Sequence, residues 1–322
     1  MATANPTQPL AVNSAGDLDA LALKVYSGMI LEAFNKATTT DGRIMTRTIT
    51  SGKSAQFPVI GRTSTFTHVR GEEVAVNALD INSNERVIAV DDILMSPVFL
   101  DILDEAKSHY DVRRPYATQQ GQALAEENDK RALMAIISAS YAGANFSGGD
   151  AGQRIQTAAQ DTDVTVLKAS IYSAAEILDE NSIPSTERSL WLSPAQYYLL
   201  LNDGEFIDRD FNDGSNGNRA HAILRNASDF EVVKTTNMPN VDETGSTTLP
   251  TETRKDFSET VAVAAHSSAA GCVSLMGIMF ESEYQMNRQG HLLLAKQARG
   301  YGYPAARSCG RHRAPDGLST IA

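Results

Sequence analysis

One stretch of the chain, from Asp111 to Tyr141, reads DVRRPYATQQGQALAEENDKRALMAIISASY. Its pattern predicts a single long helix. Asp111 lies at the positive end of the helix dipole, and Pro115 lies in the first turn, where its missing N–H has no helical partner. Apolar residues then recur at helical spacing until Gly143 ends the run. Such a helix spans roughly 40 Å at about 1.5 Å per residue, whereas an average helix has about 11–12 residues.

The two halves of this predicted helix differ in what they can bury. The first half consists mainly of Gln, Ala and Glu, and the second half, around Leu133 to Ile137, is apolar almost all round. This contrast is typical of a spine helix with one end in a core and the other against something polar. A long helix inside a two-domain enzyme is the alternative.

The composition is that of a folded globular chain, with 42% hydrophobic and 21% charged residues. We expect no membrane association, because no apolar run approaches the roughly 18 residues that span a bilayer and the N-terminus lacks a signal pattern. Cys272 and Cys309 are far apart in sequence, which argues against a disulfide framework or a cysteine zinc site. The net charge of −11 argues against a dedicated nucleic-acid binder.

The segments on either side of the spine have different characters. Residues 1–15 carry no charge and predict a flexible arm. Residues 41–91 contain short alternating runs that predict a long β-hairpin, and Pro58 confines its strand to an edge or a bulge. Since this hairpin has few large apolar residues, we expect it to lie on this subunit or on the next. Helices and strands mix in the rest of the chain, so the class is α+β.

The candidate motifs for catalysis or ligand binding each lack a residue, a spacing or a structural context that the motif requires. Ser51 to Ser54 resembles the end of a phosphate-binding loop, but Arg47 stands where that motif needs glycine, and a strand follows where a helix is required. The histidines form no metal-binding spacing. Cys309 and His312 lie close together in a tail with no sign of a core. The sequence therefore predicts no catalytic residue, no cofactor and no metal site.

Specific residues carry a resemblance to a known family. Residues 51–63, SGKSAQFPVIGRT, closely resemble the extended-loop segment of major capsid proteins from T7-like short-tailed bacteriophages. His109 to Arg113 resembles the same family's start of the spine helix. Phe230 to Val233, and Leu293 to Lys296 followed by Gly300 to Gly302, are similar to later family landmarks. The matches run in order from about residue 17 to residue 302.

This resemblance implies the HK97-type capsid fold, an α+β fold with an N-terminal arm, an extended β-hairpin loop, a peripheral domain with a long spine helix, and an axial domain. The expected parts are the arm at 1–16, an N-terminal helix at 17–40, the extended loop at 41–91, the peripheral domain at 92–160 with its spine at 111–142, the axial domain at 161–255, return strands at 256–302, and an atypical tail at 303–322.

The function implied by the resemblance is structural, with no enzyme activity. Pentamers and hexamers are expected to close into an icosahedral shell around a double-stranded DNA genome, which is held by confinement only. Scaffolding and portal proteins are the expected partners, assembly takes place in the host cytoplasm, and the product is part of the virion. An encapsulin-like compartment shell is an alternative with the same fold, and the phage-like loop motif argues against it. A nucleotide-binding protein resting on Gly52 to Ser54 is the third hypothesis.

Six residues are candidates for contacts between subunits, and non-covalent locking is expected rather than a cross-link through the lysine among them. Packing within its own subunit is the alternative for the phenylalanine. The candidates are Lys53, Gln56, Phe57, Arg62, Arg113 and Arg114.

The tail departs from the family after Gly302. Codons allowed for Tyr303 to Cys309, read one base downstream, can spell Thr/Ile-Leu-Arg-Pro-Glu-Ala-Ala, which resembles the family's ending. We therefore hypothesise that residues 303–322 are translated in a shifted frame, which genomic sequence across the junction tests. Such a tail is expected to be exposed and poorly ordered.

Overall fold

The computed structural model describes residues 20–60, 67–71, 73, 83–107, 113–143, 151–203, 217–218, 223–304, 309–313 and 320–321. The chain divides into two compact units. Unit one comprises Met1–Thr38, Asp92–Asn128 and Met276–Ala298, and unit two comprises Thr39–Asp91, Asp129–Leu275 and Arg299–Ala322. The predicted arm at 1–16 lies outside the described residues.

Helices and strands are mixed along the chain, as the α+β prediction requires. The first half contains α1 (Ala20–Ala37), β1 (Met45–Thr48), β2 (Ser54–Ile60), β3 (Ser83–Ala89), β4 (Leu94–Asp101), α2 (Ile102–Lys107), α3 (Arg113–Ser140) and β5 (Gln153–Gln156). The second half contains α4 (Val164–Glu180), β6 (Arg188–Leu192), α5 (Pro194–Asp203), β7 (Gly217–Asn218), β8 (Ile223–Leu224), β9 (Asn226–Ala227), β10 (Phe230–Lys234), β11 (Thr260–His266), β12 (Gly271–Gln285), β13 (Gly290–Gly302), β14 (Cys309–Arg313) and β15 (Thr320–Ile321).

The predicted spine helix is α3, a continuous helix of 28 residues. Its first part belongs to unit one and its part from Asp129 onward to unit two. The apolar half is buried all round: Leu133, Ile136 and Ile137 are at most 1% exposed. They pack in unit two with Trp191 and with residues of β11, so the apolar half lies inside a core, as the sequence predicts.

Unit one packs α1 and the first half of α3 on one face of a β-sheet. In this sheet β13 pairs antiparallel with β4, from Gly290↔Asp101 to Gln297↔Leu94. The core contains Ile30 and Phe34 of α1, Leu124 of α3 and residues of both strands. A buried polar contact joins the two helices, because the Tyr26 hydroxyl donates to Gln120 Oε1 at 2.8 Å.

Unit two contains a seven-stranded sheet in the order β14-β5-β15-β11-β6-β10-β9. The internal strand β6 reads RSLWL, and every residue in it is buried. It pairs parallel with β10 and antiparallel with β11, so it has neighbours on both edges and apolar layers on both faces. Helices α4 and α5 supply one of those layers, with Leu167, Ile171 and Leu200 in the core.

Two pieces of the tail form β-strands. Strand β14 pairs antiparallel with β11 through Ala265↔Cys309, and β15 pairs with β11 in parallel. The strands at 309–313 and 320–321 were not predicted, because the edge of β11 offers backbone partners that side-chain patterning does not reveal. The expected exposure and poor order of the tail stay predictions. The shifted-frame hypothesis stays a prediction.

Candidate assembly interface

The extended hairpin is formed by β2 and β3, which pair antiparallel from Ser54↔Ala89 to Ile60↔Ser83. Because side chains alternate across a strand, the hairpin has two faces. One face carries Ala55, Phe57 and Ile88, which are at most 7% exposed and pack with Val273 of β12. The hairpin therefore rests on its own chain at this point.

Glycines allow the close approach on this inner face. A Cβ added at Gly271 would lie 2.9 Å from Ile88 Cδ1, and one at Gly300 would lie 2.0 Å from the carbonyl oxygen of Ala89. The hairpin therefore lies against the backbone of β12 and β13 themselves. Arg47 of β1 stacks over the Phe57 ring at 5.3 Å, which covers the ring's other side with a cation.

The outer face of the hairpin is solvent-facing and partly apolar. Ile60 is 64% exposed and Val87 is 52% exposed. Gln56 lies on the same face, and its Nε2 is 3.5 Å from Glu85 Oε1 on the neighbouring strand. Pro58, which pairs with Glu85, is also exposed. This face of the hairpin thus exposes two aliphatic side chains, Ile60 and Val87, and two polar ones, Gln56 and Glu85.

The structure separates the predicted contact residues of the hairpin into two groups. Lys53 and Gln56 are exposed and free to reach a neighbour, whereas Phe57 is only 4% exposed and packs within its own subunit, the alternative stated for it. Arg62 lies outside the described residues. Sequence reasoning missed Val87. Alternation in β3 places Val87 on the face opposite Ile88, but only the structure shows which of the two faces is exposed.

The predicted contact residues of the spine lie at the start of α3 in unit one. Arg113 donates from Nε to Glu105 Oε1 at 2.6 Å and from Nη2 to Glu105 Oε2 at 3.1 Å, a bidentate pair within the chain. Arg114 is exposed and lines a shallow cleft with Glu32 and Thr118. Contact of either arginine with another subunit stays a prediction.

The loop before β2 has the wrong geometry for a phosphate site. Gly52 has φ of +104°, and the strand β2 begins at Ser54, two residues later. No helix N-terminus follows to direct backbone N–H groups at a phosphate, which is what that motif requires. Within the described part of the chain, no group of His, Cys, Asp and Glu side chains is arranged to hold a metal ion.

Comparison with known proteins agrees with this architecture. Residues 56–310 match the Gp10A-like family, which is described as major capsid protein. The chain belongs to this capsid protein family. It is 30% identical over 317 residues to the major capsid protein of Escherichia phage T7, a match that covers 90% of this chain and 91% of the relative. The predicted family is therefore confirmed, and with it a structural, shell-forming role in a phage head.

Solved capsids share the fold. The capsid structure of the cyanophage P-SCSP1u matches with a TM-score of 0.77 and 30% identity, across 98% of this chain and 99% of the other. A virus-like particle from Pyrococcus furiosus matches with a TM-score of 0.57 at 13% identity, across 90% of this chain and 98% of that one, and shows the fold alone. These matches confirm the HK97-type fold. Across the described residues, no helix is both long and apolar enough to cross a membrane.

Proposed function

We propose that this capsid protein builds an icosahedral shell from hexamers and pentamers around double-stranded DNA, and that the outer face of the β2–β3 hairpin is one of its contacts with the next subunit. Assembly takes place in the host cytoplasm with scaffolding and portal proteins, and the chain itself performs no catalysis. The observation that carries this proposal is the two-faced hairpin.

The two faces of the hairpin have different roles in this proposal. The inner face buries Phe57 and Ile88 on the chain's own β12, which fixes the hairpin to its subunit. The outer face exposes Val87 and Ile60, and burying the part of each side chain that is still exposed contributes roughly 1–2 kcal/mol. A second copy of the chain is the partner, because a shell repeats the same contact around each capsomer and sums many modest contributions.

The other candidate residues have defined places in this proposal. Gln56 lies on the outer face and Lys53 directly precedes β2; both are exposed and are the proposed polar contacts, which orient a partner more than they bind it. Arg62, which follows β2 in the sequence, is a further proposed contact, and Arg113 and Arg114 are the proposed spine contacts. Phe57 contributes indirectly, by holding the hairpin in place.

The proposed division into parts follows the same fold. The extended loop is 41–91, the peripheral domain is 92–160 together with the return strands 256–302, and the axial domain is 161–255. The net charge of −11 supports confinement of DNA rather than tight binding, because a surface without excess positive charge neutralises few phosphates.

Negative-stain electron microscopy of the purified protein, expressed with and without its candidate scaffolding protein, tests the function. Closed shells are expected from the wild type. The Val87→Lys variant places a charge on the outer face and is expected to abolish closed shells, because a lysine cannot be buried at a contact without a partner.

A matched control variant exists in the same unit. Val241 has the same 52% exposure as Val87 but belongs to the loop after β10 and not to the hairpin. Val241→Lys is expected to leave shells intact. Shells of normal yield from Val87→Lys would overturn the hairpin contact, and monomers from the wild type under both conditions would overturn the assembly function itself.

A further inference from the structure

Helix α3 holds both ends of the segment that contains the extended hairpin. At the segment's start, Asp129 accepts hydrogen bonds from both Thr39 and Thr40. At its end, Arg131 Nη1 lies 3.6 Å from Asp91 Oδ2. The carboxylate and the guanidinium that make these contacts are only two residues apart on one helix, and all five residues belong to unit two.

The contact at the start of the segment is unusually dense. Asp129 is fully buried, and its Oδ2 accepts from Thr39 N at 2.8 Å and from Thr39 Oγ1 at 2.7 Å. Its Oδ1 accepts from Thr40 N at 3.1 Å and from Thr40 Oγ1 at 2.6 Å. Asn237, just after β10, adds a donor to Oδ2 at 3.3 Å. Loss of these donors would leave the buried carboxylate without compensation for its lost hydration, which is energetically unfavourable, so the hydrogen bonds hold Thr39 and Thr40 in place.

The contact at the end of the segment is also shielded from water. The side chain of Asp91 is 9% exposed and that of Arg131 is 16% exposed. An ion pair in such surroundings is screened much less than one on the surface. Asp91 follows β3 after one residue, Val90, whose N–H donates to the carbonyl oxygen of Lys53 at 2.8 Å. The ion pair therefore fixes the point where the hairpin's second strand rejoins α3.

These contacts fix the direction of the β2–β3 hairpin, which is a different role from the burial of apolar surface by its inner face. The segment is fixed to one helix at Thr39 and Thr40, before β1, and at Asp91, just after β3. Because both points are bound to the same helix, they constrain the direction of the hairpin between them, and that direction decides where its outer face meets a neighbour. Small errors of angle accumulate in a closed assembly, because the same contact is repeated by symmetry.

We propose that Asp129 and Arg131 form a two-ended clamp, and that these positioning residues fix the direction of the β2–β3 hairpin and hence the curvature at which subunits assemble. The proposal rests on the proposed function, since it names the residues that aim the contact surface described there. Neither residue needs to touch the neighbouring subunit.

Two variants test the clamp at its two ends. Asp129→Asn replaces one acceptor oxygen with an NH₂ group that faces donors, and Asp91→Asn removes the charge that Arg131 holds. Both variants are expected to give folded subunits. Shells of wild-type diameter should fall in number by roughly tenfold, and tubes or irregular shells should form in their place. The reason is that the loss of one hydrogen bond or ion pair to a buried charge shifts the equilibrium between two arrangements by about that factor.

The control is a variant that loses comparable stability elsewhere in unit two. Arg188 is fully buried and its Nη2 donates to the carbonyl oxygen of Ile183 and to Asp179, far along the chain from the hairpin. Arg188→Met is expected to lower the melting temperature while leaving shell diameter unchanged. Shell size is measured by electron microscopy for all variants beside the wild type, under the conditions in which the wild type assembles.

The shell measurements of the variants either support or overturn the clamp. Irregular shells from the clamp variants and regular shells from Arg188→Met at an equal melting temperature support the clamp. Regular shells from the clamp variants overturn it. If Asp129→Asn does not fold, the milder Thr39→Val, Thr40→Val pair, which keeps both backbone donors, takes its place with the same two outcomes. Failure of the wild type to form shells would count against the proposed function instead.

Discussion

Gly121 of α3 offers a direct test of the packing in unit one. The perturbation is Gly121→Ala, the addition of a single methyl group. A Cβ at this position would lie 2.5 Å from the carbonyl oxygen of Ile30 and 2.8 Å from the Cβ of Ala33, both in α1. Because these are backbone and near-backbone atoms, no side-chain rotation relieves the clash.

The magnitude follows from two opposing terms. Alanine is favoured over glycine inside a helix by about 1 kcal/mol. The contact with the Ile30 oxygen is roughly 1 Å shorter than an ordinary van der Waals contact, and overpacking of this kind costs about 1–3 kcal/mol. Since the neighbouring atoms cannot move independently of α1, the upper part of that range applies. We expect a net loss of about 2 kcal/mol in the free energy of opening of unit one.

Gly28 of α1 supplies the control, because a Cβ there would meet nothing within 4 Å. Gly28→Ala therefore gains up to about 1 kcal/mol of helix propensity with no clash. The measurement is amide hydrogen exchange followed by mass spectrometry, on peptides covering α1 and the first half of α3. It reports the free energy of local opening and does not require the two units to unfold together.

The two substitutions are chemically identical, so the difference between them isolates the helix contact. Faster exchange in α1 for Gly121→Ala and slower exchange for Gly28→Ala are expected. If Gly121→Ala exchanged as slowly as Gly28→Ala, then α1 and α3 would not pack backbone to backbone, and the reasoning would be refuted.

Two further predictions concern buried or half-buried titratable groups in unit two. Burial raises the pKa of the Cys272 thiol to about 11, more than the Arg299 cation lowers it, so in a Cys309→Ser background a disulfide reagent at pH 8 should react only after unfolding. Reaction of the native protein at the rate of an exposed thiol would contradict the burial of Cys272. Burial, the largest cause, lowers the pKa of His266 below its usual 6.5, opposed by Glu187 and reinforced by Arg188. As the pH falls below about 6.5, the unfolded chain therefore binds more protons at this histidine than the folded chain does. The free energy of unfolding should decline with falling pH until the folded-state pKa of His266 is passed. His266→Asn keeps an acceptor for the Ser268 N–H and does not titrate, so thermal melts of this variant should lack that decline; an unchanged pH profile would refute the assignment.

Local sequence patterns were enough for the spine and the hairpin. The apolar run from Leu133 to Ile137 predicts a helix buried all round, and its exposure of 0–2% agrees. The alternating strands around Gln56 and Val87 predict a hairpin, and β2 and β3 pair as expected. Both features depend on periodicity within a few residues, which sequence displays directly.

Contacts between distant segments were not visible in the same way. Nothing near Asp129 in the sequence indicates that it binds Thr39 and Thr40, which lie about ninety residues earlier. The pairing of β14 with β11 was missed for the same reason, since a strand edge accepts any backbone that reaches it.

The amino-acid sequence by itself therefore determined the spine helix, the hairpin, the α+β class and, through the extended-loop motif, the capsid family. The tertiary structure decided which face of the hairpin is free. It buries Phe57 on Val273 of β12, beside Gly271, and leaves Val87 exposed. The physical reason is that alternation distinguishes two faces of a strand but does not say which one meets the core, because that depends on packing against residues far away in the chain.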